Sequence, residues 1–147
     1  MNRHIWITTL LMLFMGVVSS LSTGDARRTT ISFCDLLSAP QKYDKNVVAT
    51  EAVIHSTYHE VHLYDFRCKS TQVDNRSASI ELPDGWDSTK LGKKLSRVLR
   101  HDRSADIVFD GVFYGTGGPY GPEQTKFRFV LKRLVSVEEL PKTKNHT

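Results

Sequence analysis

Only two cysteines, Cys34 and Cys68, occur in 147 residues. Neither stands at a zinc-motif spacing from a histidine, which argues against a structural zinc site. No apolar run reaches the roughly 20 residues that cross a bilayer as a helix. The candidate, Ile5 to Val18, has about 14. Neither sign of charge dominates: 20 basic residues face 16 acidic ones, for a net +4. So mild an excess does not by itself argue for a nucleic-acid partner. The chain also lacks a P-loop, a Gly-x-Gly-x-x-Gly fingerprint and a nucleophile elbow. It shows no internal repeat, and its length suits one domain rather than two.

What is present begins with the leader. "MNRHIWITTLLMLFMGVVSSLSTGDA" runs from a basic start through an apolar centre to small polar residues. That order predicts a cleaved export signal over residues 1–24, with an uncleaved anchor as the alternative. No cysteine stands at the cleavage region, so a lipid anchor is not expected. Cleavage removes Arg3 and no acid, leaving 19 basic against 16 acidic residues, net +3. In an oxidising compartment two cysteines default to a pair, Cys34 with Cys68. Closing that loop would stabilise the fold by about 3–4 kcal/mol. Two buried free thiols are the alternative.

Along the remaining chain, "SFCDLLSAP" reads as a short helix capped by Ser32, with Asp35 in its first turn and Pro40 ending it. "NVVATEAVIHS" and "EVHLYDF" alternate as strands, with Ser56 to Glu60 as the hairpin tip between them. The second strand would place Val61, Leu63 and Asp65 on one face, and His62, Tyr64 and Phe66 on the other. "ASIELP" is a short third strand. The period then changes: Leu91, Leu95, Val98 and Leu99 form one helical stripe, capped by Asp87 or Ser88. "SADIVFDGVFYG" returns to period two, and its interior Gly111 suggests a bulge or bend. "TGGPYGPEQ" is a loop, and "TKFRFVLKRLVSV" is the last long strand, followed by a short "EEL" segment. The polar residues 141–147 are expected to form a disordered tail.

Strand, strand, strand, helix, strand, strand is the order of an OB-like five-stranded Greek-key barrel. The domain is expected over residues 31–140, mainly β, with a short N-terminal helix. A β-sandwich and a helix-on-sheet α+β domain are the alternatives. The quoted stretches "FCDLL", "YDKNVVATEAVI", "HLYDFRC", "GVFYG" and "FRFVLKRL" also resemble a group of small exported bacterial proteins with an OB-like fold and no established function. The resemblance spans roughly residues 31–137 and implies a fold and a compartment, not an activity. In that group the glycine loop is often followed by Gly-His, where this chain has Gly121-Pro122.

Candidate sites follow from this placement. Tyr58, Tyr64, Tyr114 and Tyr120 are candidate stacking groups on a barrel face bordered by the glycine loop. His55, His59 and His62 are a weaker alternative as metal ligands, with His55 and His59 meeting across a hairpin tip. If Cys68 is paired, a Cys–His nucleophile is excluded, so no catalytic residue is assigned. The glycine loop joins two strands and offers no helix N-terminus to a phosphate. Lys90, Lys93, Lys94, Arg97 and Arg100 make a basic helix face, read as a solvated surface in preference to a patch for anionic partners. Asn75 and Asn145 open glycosylation sequons. The expectation is a non-enzymatic exported module that takes a protein, peptide or glycan. No cofactor, nucleic acid or stable membrane insertion after cleavage is expected. A structural or accessory envelope protein, or a weak metal handler, is the alternative.

Overall fold

The computed structural model describes residues 29–56, 61–68, 77–100, 103–122 and 124–141. The leader, Tyr58, His59, the residues around Asn75 and the tail from 142 lie outside them. Two short helices, α1 (Phe33–Ser38) and α2 (Pro40–Tyr43), precede β1 (Val47–Ser56), β2 (Val61–Tyr64) and β3 (Ser77–Glu81). A tight turn at Trp86–Ser88 leads into α3 (Lys90–Arg100), and then β4 (Ser104–Tyr114) and β5 (Arg128–Glu139) complete the chain. The strands close in the order β1-β2-β3-β5-β4, with β4 returning to β1. All pairings are antiparallel except β3 with β5. This is the OB-like barrel, with a helix between its third and fourth strands.

Alternation determines what fills it. Val48, Thr50, Ala52 and Ile54 of β1 are buried, as are Ala105, Ile107, Phe109 and Phe113 of β4. Phe129 sits at the centre, its ring 4.9 Å from Phe113, 5.3 Å from Phe109 and 5.9 Å from Phe33 of α1. Leu95 and Val98 of α3 join the same core, with Leu91 and Leu99 partly buried against it. The Thr50 hydroxyl, buried among these, donates to the Ile31 carbonyl at 2.7 Å. Gly111 stands where the β4–β5 register shifts, and a Cβ there would meet the Val130 carbonyl at 3.1 Å. The pairing there skips Lys132, so the extra residue and the bend it makes lie on β5, opposite Gly111.

Local details depart from expectation at five places. Ser32 holds the cap position of α1, but its side chain makes no capping bond. Pro40 opens α2 rather than ending α1, since its fixed φ and missing N–H suit a first helical position. Thr89, not Asp87 or Ser88, caps α3: its hydroxyl accepts from the Gly92 N–H at 3.0 Å. Asp87 and Ser88 are drawn into the preceding turn, which packs so closely that a Cβ on Gly92 would lie 2.1 Å from the Trp86 carbonyl. The second strand stops at Tyr64, and Phe66 lies in a turn, 77% exposed. Finally, β5 continues through Glu139 and absorbs most of the expected terminal segment.

Candidate functional site

Tyr114 ends β4 pointing outward, because its neighbour Phe113 points into the core. Its Cα partner on β5 is Arg128, itself opposite Ser79 on β3. The Arg128 guanidinium carbon lies 4.5 Å from the Tyr114 ring centroid and 5.0 Å from that of Tyr120. The two rings are 6.4 Å apart, inclined at 59°. A cation is thus held against two π faces, a geometry favoured by the ring quadrupoles. Glu81 reaches toward the same guanidinium at 3.4 Å, from an exposed position.

The loop from Gly115 to Phe127 holds Tyr120 in place. Its Tyr120–Thr125 bridge is closed by two backbone bonds of 2.8 Å, and the Tyr120 hydroxyl donates to the Thr116 carbonyl. At the root, the Asp44 carboxylate accepts from the Gly115 N–H at 2.8 Å and the Thr116 hydroxyl at 2.8 Å. The Thr116 hydroxyl bond is the main cause holding the Asp44 pKa below the ordinary value. Thr125 is buried, and its hydroxyl accepts from the Ser79 N–H at 3.2 Å. A cavity of about 400 Å³ opens beside Gly115–Pro119, Gln124 and Lys126.

Of the four expected tyrosines, the structure joins Tyr114 and Tyr120. Tyr64 is half-buried on β2, opposite Val53 and Ser77, and is not part of the stack. Tyr58 lies outside the described residues. Arg128 was missed by sequence reasoning. The available signal was "KFRFV", where alternation sends Phe127 and Phe129 inward and the arginine outward. Among the histidines, His55 pairs with His62 across β1 and β2, and His59 lies outside the described residues. His55 Nδ1 is 3.0 Å from the Ser104 hydroxyl.

Cys34 and Cys68 are joined, with their Cα atoms 5.2 Å apart. The bond ties α1 to the turn after β2. In that turn the buried Asp65 carboxylate accepts from the Arg67 backbone N–H and its Nε, both at 2.8 Å, and Nη2 lies 2.8 Å away. Burial pushes the Asp65 pKa up, but the Arg67 bonds and charge outweigh it, leaving the net value lowered. Nearby Asp106 is shifted upward, by burial first and by Glu51 second, with Arg67 opposing. Asp65, Cys34 and Cys68 bring ligand-type atoms within 4.8 Å of one another. Both sulfurs are committed to the disulfide, so this trio is not a ligand set as it stands.

No protein-family model and no curated protein matches the chain. Among solved structures it is similar to one assigned as an aspartyl-tRNA synthetase from Leishmania major Friedlin, with a TM-score of 0.46 and 14% identity. The likeness covers 84% of this chain and 23% of that one, and carries no functional argument.

Proposed function

We propose that this chain is an exported, non-enzymatic binding module that takes a protein, peptide or glycan on the outer barrel face at the β4–β5 corner. The observation that carries it is the Tyr114–Arg128–Tyr120 stack. The rings lie against the guanidinium and partly cover it, so its N–H groups are positioned before any partner arrives. Preorganisation of this kind lowers the ordering cost of binding. Carboxylates, amide carbonyls and sugar hydroxyls all accept from such an edge. The adjoining loop is one of the two that border the binding face in OB-like barrels. Export is supported by the leader pattern and by the oxidised cysteine pair. No helix among the described residues is long and apolar enough to cross a membrane.

The test is capture from the exported fraction of the source cells, comparing the wild-type chain with Arg128→Ala and Tyr120→Ala. Material retained by the wild type is expected to fall about tenfold in both variants, the loss of roughly 1.4 kcal/mol. Retention unaffected by either substitution would remove the β4–β5 corner as the binding face.

A further inference from the structure

A second site lies away from the stack, where α3 crosses β5. An open groove of about 490 Å³ runs between the Trp86 turn, the start of α3 and the middle of β5. Trp86, Leu91 and Leu134 line it while packing on the core, and each remains partly accessible. The Trp86 backbone is held in place: its main-chain N–H donates to the Pro83 carbonyl at 3.1 Å, and its own carbonyl abuts Gly92 of α3. Lys90 and Lys132 stand on the rim, both exposed, and neither has an ion-pair partner among the described residues. Arg133 also lines the groove, but its Nε is 3.0 Å from Asp110. One acid, Asp84, is present against them.

An apolar wall that includes a half-buried indole, bordered by two exposed ammonium groups against one acid, matches one ligand chemistry. We propose that this groove binds a small soluble amphiphile with an aliphatic or aromatic body and an anionic head. The volume lies within the roughly 300–1,000 Å³ range of small-molecule sites. The body lies along Trp86, Leu91 and Leu134, where it removes apolar surface from water. The carboxylate or phosphate head pairs with Lys90 and Lys132. This site is independent of the Arg128 corner.

Trp86 supplies the readout. The chain has two tryptophans, Trp6 and Trp86, so the full chain carrying Trp6→Phe reports on the groove alone. Titration with octanoate and with octyl phosphate is expected to give a saturable change in Trp86 emission. Octan-1-ol should bind about tenfold more weakly, and Lys90→Gln/Lys132→Gln should weaken the anions about tenfold while leaving the alcohol unchanged. Arg128→Ala should leave all of these intact, which separates this site from the proposed function. Equal responses to alcohol and anion would overturn the proposal. So would anion binding unaffected by the double lysine variant, or the absence of saturation with either anion. A response confined to phosphatidylglycerol vesicles would overturn it too, by assigning the groove to a lipid surface.

Discussion

Arg67 and Arg128 each meet a carboxylate, and the two pairs are built in opposite senses. At Arg67 the acid is the covered partner: the Asp65 side chain is 4% exposed and the arginine 57%. At Arg128 the arginine is the more covered partner, 32% exposed against 56% for Glu81. Asp65 has lost most of its water, and Arg67 offsets the cost of that burial inside the turn. Arg128 is covered by Tyr114 and Tyr120, whose faces are attractive but neutral, and Glu81 can satisfy itself in solvent. The first arginine is committed to the fold. The second meets its acid only at 3.4 Å and near the surface, where such a pair is weak, and the proposed function assigns the rest of its charge to a partner.

The end of the barrel around Arg67 should therefore be where substitutions cost most. Cys34→Ala/Cys68→Ala removes the tie between α1 and the Asp65 turn. Urea unfolding is expected to show a loss of about 3–4 kcal/mol, from the chain entropy released by opening the loop. Arg67→Ala comes next. It strands a buried carboxylate, but most of the guanidinium is already in water, so the expected loss is about 1–3 kcal/mol. Its pH dependence is the sharper test. In the wild type the Asp65 pKa is held below the ordinary 3.8. Its contribution is fully present above about pH 4 and is lost as pH falls through the lowered folded value. In Arg67→Ala the side-chain bonds and the charge are lost, only the backbone N–H of residue 67 is left to oppose burial, and the carboxyl pKa rises from its wild-type value. The stability this group gains as pH rises is then smaller than in the wild type. Urea midpoints measured from pH 3 to 6 should diverge between the two proteins as pH increases. Parallel curves would show that Asp65 does not depend on Arg67.

The contrast between the two arginines was only partly legible in the sequence. Barrel order, the inward Phe and Ile positions and the Leu95–Val98 stripe follow from periodicity, because burial on one face leaves a local trace at every second or fourth residue. The cysteine pair was legible from count and context. The Thr89 cap was not, because the Trp86–Ser88 turn depends on Gly92 packing beneath it, a contact between chain segments. The stack was half-legible. Tyr114 and Tyr120 were candidates as exposed aromatics beside a loop, but Arg128 enters only through the β4–β5 register, with Tyr114 opposite it. Asp44, which anchors the same loop from 71 residues away, left no local signal at all.

At the stack, stability and binding should separate. Arg128→Ala forfeits two ring contacts on a partly exposed side chain, so unfolding free energy should fall by only about 0.5–1 kcal/mol. Capture of the exported ligand should fall far more. A stability loss as large as that of Arg67→Ala would place Arg128 in the same structural role and end the distinction.

Glu81→Gln is the smallest expected effect and the most direct check on the reversed pairing. Glu81 is more than half exposed, and its contact with Arg128 is long, at 3.4 Å. Surface pairs of this kind contribute about 0–1 kcal/mol, and the tyrosine rings keep Arg128 in position without it. Urea unfolding should therefore shift by less than about 0.5 kcal/mol. Removing a negative charge beside the guanidinium should leave ligand capture unchanged or raise it when the ligand is anionic, more visibly at low salt. A loss of both stability and capture would mean that Glu81 orients Arg128, as Arg67 supports Asp65, and that the two pairs are variants of one design.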